Sequence, residues 1–290
     1  MFTTRNGKQI EFVVASGALG WFGDGWPWEK PLVKLGAIDP SLFTITTKTL
    51  TRYENKGNWL AVCPVKGGVW NNMGLPNHGF LWWRTKYRNK YKCKLPYKTL
   101  VSIAPNFASD ANKMVYWGMI GDDLEYDPNF VGYEINVSCP NTKKLDFERI
   151  LDIVKKLESG TEHIYALILK LNYQQAFYSE GFTEKQLLEL LPLVDAISLN
   201  SAPKMYGKGA YSGKIAQEYN WATADYLQSL GFKVIWPSLW EYEDIDTVIS
   251  RKAAAVPFGA IHLLRPWAPT QWIRRYLREK NSVSNVSIQT

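Results

Sequence analysis

Apolar residues along this chain gather in short runs rich in β-branched side chains, and each run is followed by a turn or an amphipathic stretch. Runs of this length and composition are typical of β-strands. The pattern predicts eight strands, at Ile10–Ser16, Phe43–Lys48, Thr99–Ala104, Val131–Ser138, Ile164–Leu171, Ala196–Asn200, Phe232–Trp236 and Ala254–Gly259.

Helical periodicity fills several intervals between these strands. Thr183 with Gln186 three residues later has the pattern of a capping box, which marks the start of a helix. The predicted helices are Phe147–Glu158, Thr183–Leu193, Ala222–Leu230, Ile245–Arg251 and Thr270–Glu279.

The alternation of strands with helices or long loops indicates an α/β fold. Eight such strands predict a parallel sheet closed into a (β/α)8 TIM barrel of one domain. A doubly wound open sheet is the alternative, although no Gly-x-Gly-x-x-Gly turn follows the first strand. We expect the barrel to occupy residues 1–280 and residues 281–290 to form a loose tail.

Composition agrees with a folded domain and excludes several classes of protein. With 290 residues, 46% of them apolar and 21% charged, the chain can bury a large core and is not disordered. The longest charge-free apolar stretches, Phe12–Phe22 and Ala253–Leu264, fall short of the ~18–20 residues of a membrane span. The first residues do not resemble a secretory signal.

Cysteine and histidine usage argues against a metal site or a disulfide framework. The three cysteines, Cys63, Cys93 and Cys139, are widely spaced, and there is no Cys-x-x-Cys. The three histidines lie near no second ligand at a useful spacing. We expect a cytoplasmic protein with no metal and no membrane association.

The net charge of +7 is concentrated at Arg84–Lys98, where seven lysines and arginines alternate with three tyrosines. Such a run can bind a polyanion, because cations contact phosphates and rings stack on bases. A solvated helix or strand face is the alternative, and we favour it because no nucleic-acid-binding module surrounds the run. We therefore expect no nucleic-acid partner.

Polar residues recur at the carboxyl ends of the predicted strands, where active sites of barrels are assembled. Lysines and asparagines lie at or just before four of these ends. Their convergence predicts an anionic or electron-accepting ligand in the barrel mouth. The four residues are Lys48, Asn136, Lys170 and Asn200.

The most specific motif is the run from Glu134 to Thr142, Glu-Ile-Asn-Val-Ser-Cys-Pro-Asn-Thr. It resembles the motif of dihydroorotate dehydrogenases, and its cysteine resembles the soluble class 1 enzymes. Other segments resemble the same family in the same order along the chain. They are Ala15-Ser16-Gly17, Thr47–Thr51, Asn71–Asn77, Leu169-Lys170-Leu171, Leu199-Asn200-Ser201 and Ser212-Gly213.

The resemblance implies a flavin enzyme that oxidises dihydroorotate to orotate in pyrimidine biosynthesis. FMN would lie over the barrel mouth with the pyrimidine against its face. Cys139 would remove the C5 proton as general base while a hydride leaves C6 for flavin N5. Lys48 would help to neutralise the substrate carboxylate, and Lys170 would stabilise the reduced flavin near N1 and O2.

Further binding residues and partners follow from the same resemblance. The substrate would contact Lys48, Asn71, Met73, Gly74, Leu75, Asn136, Asn141, Asn200 and Ser201. The flavin would contact Ala15, Ser16, Lys48, Asn136, Lys170, Gly213, Gly259 and Ala260. The electron acceptor would be soluble, such as fumarate, with an NAD-linked partner subunit left open, and the chain would form a homodimer.

The seventh strand departs from the family. Relatives end it in a Gly-Gly pair whose N–H groups hold the FMN phosphate, whereas this chain reads Val-Ile-Trp-Pro-Ser-Leu-Trp from Val234 to Trp240. After the eighth strand, Ala260 replaces the usual threonine. Other donors, such as Ser238 or Arg265, could hold the phosphate, a different or weakly bound flavin could be used, or the flavin could be lost.

The alternatives in function are therefore two. One is a related flavin barrel that acts on another dihydropyrimidine and shares Cys139 and the asparagines. The other is a non-catalytic barrel that has lost FMN.

Overall fold

A computed structural model describes residues 2–58, 61–106, 108–119, 124–139, 145–161, 165–176, 181–200, 202–203 and 209–286. Eight parallel strands, numbered here β1 to β8 in chain order, form its central sheet. Each one falls on a strand predicted from the sequence. They are β1 (Phe12–Val14), β2 (Thr44–Thr46), β3 (Thr99–Ile103), β4 (Phe130–Asn136), β5 (Ala166–Leu171), β6 (Ala196–Leu199), β7 (Val234–Ile235) and β8 (Val256–Phe258).

The sheet closes on itself. Neighbouring strands follow the order β7-β6-β5-β4-β3-β2-β1-β8, and a parallel bridge between Ile235 and Ala255 joins its two ends. The chain is therefore a single-domain (β/α)8 TIM barrel, which confirms the predicted fold and excludes the open sheet.

Strand residues alternate between two apolar layers. Ile168, Leu100 and Ile235 point inward and fill the barrel together with small alanines. Their neighbours, among them Leu169 and Phe258, point outward and pack against the helices. Each large side chain buried in this way contributes about 1.5–3 kcal/mol, and the outer layer contains many more of them than the interior.

The helices cover the outside of the barrel. The capping box is confirmed, because Thr183 Oγ1 accepts from Gln186 N and Thr183 N donates to Gln186 Oε1. The helices are α1 (Lys30–Lys34), α2 (Phe80–Tyr91), α3 (Ala108–Met119), α4 (Phe147–Thr161), α5 (Tyr173–Ala176), α6 (Glu184–Leu190), α7 (Gln217–Ser229), α8 (Asp244–Ser250), α9 (Ala260–Leu264) and α10 (Ala268–Val286), with 3-10 turns at Pro40–Leu42, Leu124–Tyr126, Leu191–Leu193 and Lys214–Ala216.

The five predicted helices are all present, whereas α1, α2, α3, α5 and α9 were not predicted. Helix α10 continues past residue 280, and the domain boundary placed there stays a prediction. None of the described helices combines the length and the apolar composition that a membrane span requires.

Two small antiparallel sheets lie at opposite ends of the barrel. A hairpin of Phe2–Thr3 and Gln9–Ile10 closes the amino-terminal end, where Phe2 and Ile10 join the interior cluster. At the other end lies a four-stranded sheet, the rim sheet, which contacts α9. Its strands are Ala202–Pro203, Ala210–Gly213, Gly68–Asn71 and Val62–Val65.

Candidate active site

A network of polar side chains crosses the barrel mouth from the end of β1 to the end of β6. Thr49 is one of its branch points, because its Oγ1 lies 2.7 Å from Ser16 Oγ and 2.9 Å from Ser102 Oγ. Asn136 Nδ2 also donates to Thr49 Oγ1, at 2.9 Å. Residues from four neighbouring strand ends are thus held in one arrangement, as the convergence of polar strand ends predicts.

Lys170 lies within this network and forms a buried ion pair. Its Nζ is 3.2 Å from Glu134 Oε1, and Ser102 Oγ donates to the same oxygen at 2.8 Å. The side chains of Lys170 and Glu134 are only 6% and 4% exposed. A buried ammonium is tolerated only when it is paired, so the Glu134 carboxylate compensates the charge of Lys170 and holds its side chain in position.

Asn136 and Asn200 meet through Ser138. Ser138 Oγ donates to Asn136 Oδ1 at 2.8 Å and accepts from Asn200 Nδ2 at 2.7 Å. Asn136 thus has its carbonyl oxygen and one amide hydrogen engaged within the protein, and its second amide hydrogen has no acceptor among the described residues.

Two side chains at the start of α5 hold the backbone that leads to Cys139. Asn172 Nδ2 donates to Ser138 O at 2.9 Å, and Gln175 Nε2 donates to Val137 O at 3.0 Å. The two residues also bind each other, since each backbone N–H donates to the other's side-chain oxygen. The backbone that leads to Cys139 is therefore held by α5 as well as by β4.

Lys48 and Cys139 interact electrostatically. Burial lowers the pKa of Lys48 from 10.5 to about 8, and the charge of the Cys139 thiolate acts in the opposite direction. Opposite charges favour the state in which both groups are ionised. The aliphatic part of Lys48 lies against Gly17, whose Cβ, if it had one, would be 3.3 Å from Lys48 Cγ.

The loop that follows the rim-sheet strand Gly68–Asn71 is held by three asparagines. Asn58 N donates to Met73 O, Asn55 Nδ2 to Gly74 O, and Asn77 Nδ2 to Leu75 O, at 2.8–3.0 Å. None of the backbone N–H groups of residues 73 to 75 donates a hydrogen bond to another described residue. Asn77 also accepts from Thr51, so the loop is tied to the end of the β2 segment and lies beside the mouth network.

Three predicted flavin-contact residues lie where β8 and β1 meet. Ala15 N donates to Phe258 O at 2.9 Å, and a Cβ on Gly259 would lie 3.4 Å from Ala15 Cβ. Ala260 follows as the first residue of α9. Gly213 lies apart from them in the rim sheet, where a Cβ would lie 2.9 Å from the Trp240 ring. Asn141 and Ser201 lie outside the described residues.

The tryptophan-rich loop after β1 lies along one edge of the mouth. Trp26 Nε1 donates to Gly17 O at 2.9 Å, and the Trp26 ring stacks on that of Trp28, which is 70% exposed. The basic run begins on α2, where Lys86 lies over the Trp82 ring and Lys90 pairs with Asp24 at 3.0 Å. These contacts fit the interpretation of the run as a solvated helix face.

Comparison with known proteins identifies the family to which this chain is similar. The family model for dihydroorotate dehydrogenase matches residues 29–172, about half of the chain and the part that carries Lys48, Asn136, Cys139 and Lys170. This chain belongs to the dihydroorotate dehydrogenase family.

Two named relatives are catalytic subunits of dihydroorotate dehydrogenase B (NAD(+)). The protein of Maridesulfovibrio salexigens is 31% identical over 44% of this chain and 38% of its own length. That of Desulforamulus reducens is 27% identical over 50% of this chain and 46% of its own. The matches thus span less than half the length of these relatives. A solved oxaloacetate acetylhydrolase, with a TM-score of 0.47 and 12% identity over 92% of this chain and 82% of its own, adds nothing to the argument.

The ring-binding part of this dihydroorotate dehydrogenase-family site fits a flavin. The buried Lys170 offers a positive group at the mouth, and Asn136 offers an amide hydrogen. A cation and donors of this kind match the electron-rich N1 and O2 edge of an isoalloxazine.

The phosphate-binding part does not follow the family. In the turn after β7, residues 236–241, Ser238 adopts a left-handed conformation with φ of 71°, a strain of about 1–2 kcal/mol that glycine does not carry. Asn220 Nδ2 donates to Ser238 Oγ at 2.8 Å, and Trp221 Nε1 donates to Pro237 O at 2.9 Å. Helix α7 thus holds the turn from behind.

Sequence reasoning missed several residues of the site, chiefly Glu134, Thr49, Ser102, Asn172 and Gln175. A detectable signal existed for one of them. Glu134 lies two positions before Asn136 in a strand, so both must point to the same face. The other four are recognisable only from the hydrogen bonds that the fold creates.

Proposed function

We propose that this chain catalyses flavin-dependent oxidation of dihydroorotate to orotate, with Cys139 as the general base. The observation that carries the proposal is the neighbourhood of Cys139, where a cation, Lys48, interacts with the thiolate beside a network of asparagines in a family of known chemistry.

The base is prepared by its surroundings. The Lys48 ammonium stabilises the Cys139 thiolate, which can then accept the C5 proton of the substrate. Asn172 and Gln175 hold the backbone before Cys139, so the sulfur meets the proton in one orientation. Bound FMN supplies the acceptor for the hydride that leaves C6, which completes the loss of one proton and one hydride.

The substrate is recognised by donors that suit a carboxylated pyrimidine. The N–H groups at positions 73 to 75 and the Lys48 ammonium together suit a carboxylate. The amides of Asn71, Asn136 and Asn200 would contact the ring edges, and we expect the same of Asn141, which lies outside the described residues. Because this pocket would be left with unpaired groups by an analogue without the carboxylate, we expect dihydrouracil to react poorly.

For the electron acceptor we favour an NAD-linked route over fumarate, because both named relatives carry NAD(+) in their names. A homodimer is the expected assembly of the catalytic chain. A related reaction on another dihydropyrimidine is the alternative, and only the substrate profile separates the two.

The deciding experiment is anaerobic mixing of the flavin-loaded protein with dihydroorotate and, separately, with dihydrouracil. We expect bleaching of the flavin and formation of orotate in the first case alone. Bleaching by dihydrouracil at an equal rate would assign the site to another dihydropyrimidine. No bleaching by either compound would favour a non-catalytic barrel.

A further inference from the structure

The turn after β7 binds a carboxylate of its own chain. Asp244, the first residue of α8, accepts from Trp240 N at 2.7 Å and from Glu241 N at 3.0 Å through the same oxygen, Oδ2. Gln217 Nε2 donates to that oxygen too, at 3.1 Å. Adjacent backbone N–H groups that converge on one anionic oxygen form an anion nest, and this nest is filled from within.

Two further features of the turn oppose a bound phosphate. Pro237 has no N–H to donate, and the Trp240 ring lies where a side chain on Gly213 would have to go. The carbonyls of Pro237 and Ser238 are already bonded to Trp221 and Gln217 of α7.

The charges around the turn are balanced. Lys214 Nζ lies 3.2 Å from Glu241 Oε1, and the Arg265 guanidinium lies over the Trp240 ring at 5.4 Å. A third cation, Arg251, lies over the Trp236 ring at 5.6 Å and pairs with Asp225 at 3.1 Å. Among the described residues, the other two cations are matched by the carboxylates of Glu241 and Asp244. A phosphate dianion placed here would meet no excess of positive charge and would be repelled by Asp244.

We propose that the Asp244 carboxylate occupies the place of a bound anion at this turn. The site would then recognise the ring and ribityl chain of a flavin and make no use of a phosphate. The ligand class is an unphosphorylated flavin such as riboflavin, with FMN bound no better. This inference rests on the proposed function, because it requires a flavin ring at the mouth.

The test is titration of the apoprotein with riboflavin and, separately, with FMN. Quenching of flavin fluorescence reports the binding in each titration. We expect the two dissociation constants to agree within about tenfold, because the Asp244 carboxylate already engages the N–H groups of Trp240 and Glu241 and repels the phosphate. FMN binding more than tenfold tighter than riboflavin would overturn the inference and leave the proposed function standing. Binding of neither flavin would overturn both.

Two matched variants locate the effect. Asp244→Asn keeps an oxygen that can accept from Trp240 N and Glu241 N but removes the charge, so FMN should gain about tenfold over riboflavin. Asp246→Asn removes the same charge from the same helical turn, where Asp246 is exposed and outside the nest. It should leave the ratio unchanged. An equal ratio in both variants would contradict the role of Asp244, and thermal melts would verify that both are folded.

Discussion

The two sides of the barrel mouth are built on opposite principles. On the side formed by β2 to β6, inward positions carry Ser102, Glu134, Lys170 and Asn200, which take part in hydrogen bonds and one ion pair. Lys48 lies on the same side and interacts electrostatically with Cys139. On the side formed by β7 and β8, the corresponding positions carry Ile235, Pro237, Pro257 and Gly259. A single barrel therefore concentrates its chemistry on one side and leaves the other with few groups that can bind an anion.

The difference between the two sides indicates which of them determines ligand specificity. Polar groups that bind each other are oriented before a ligand arrives, so the β2 to β6 side is prepared for a particular pattern of donors and charge. At the β7 turn, Asp244 accepts from Trp240 N and Glu241 N, so these two donors are engaged within the protein and are not available to a ligand. The following predictions test this contrast.

The largest effect is expected at Cys139. Cys139→Ala should slow flavin reduction by dihydroorotate by about 10²–10⁴-fold, since general-base catalysis contributes that much. Stopped-flow absorbance under anaerobic conditions measures the rate. Cys63→Ala, at an exposed cysteine in the rim sheet, is the control and should react normally. A Cys139→Ala protein that is reduced at the normal rate would remove Cys139 from the base role.

The next effect concerns stability. Glu134→Ala leaves the Lys170 ammonium buried and unpaired, which should lower the free energy of unfolding by about 3–5 kcal/mol. Urea denaturation followed by circular dichroism measures the loss. The double variant Glu134→Ala, Lys170→Met removes both charges and should recover much of it. A loss below about 1 kcal/mol in the single variant would show that the pair is not strongly coupled.

The Lys48 pKa of about 8 predicts a pH dependence of orotate binding. The ammonium is charged below this pKa and loses its proton above it, so affinity should fall about tenfold between pH 7 and pH 9. Calorimetry on the unchanged protein measures binding. On a Cys139→Ser background, which lacks the thiolate that raises the Lys48 pKa, the fall should begin at a lower pH. Lys48→Arg stays charged throughout and should show a flat profile. An equally steep profile in that variant would assign the titration to another group.

An effect of about tenfold, here on the rate of flavin reduction, is expected at Asn172, which holds the backbone before Cys139. Asn172→Ala removes the donor to Ser138 O and should slow flavin reduction by about tenfold through misplacement of the thiol. Flavin affinity should not change. Gln174→Ala, on the same turn of α5, serves as the control. Equal rates in the two variants would show that Asn172 does not position the base.

The smallest effect is expected on the β7 side. Pro237→Ala removes no donor and leaves the carbonyl that Trp221 binds, so the dissociation constant of orotate should change by less than about threefold. Fluorescence titration measures it. A tenfold loss would mean that the β7 side contributes to substrate binding, and the contrast between the two sides would then be wrong.

The barrel was predictable because its strands are encoded locally. Runs such as Ile164–Leu171 are apolar on both faces, which is typical of a parallel strand between a filled interior and a helix layer. The rim sheet was not predicted, because its strands are short and pair Asn71 with Ala210, far apart in the chain.

The site was predictable only in part, because many of its contacts join residues that are far apart in the sequence. A motif identifies Cys139 and Asn136, and the alternation of a strand places Glu134 beside them. The partners that fix these residues come from other strands and from α5. The role of Asp244 depends on its contact with the N–H groups of Trp240 and Glu241 in the turn before α8. No motif in the sequence predicts that contact.

The rim sheet has a consequence for motion at the mouth. Gly68–Asn71 and Ala210–Gly213 share one hydrogen-bonded register, so the loops after β2 and β6 are fastened together. Neither can open without breaking the same bonds. Amide protons in the two strands should therefore exchange with solvent at a common rate, and a ligand that contacts Asn71 should slow exchange in both.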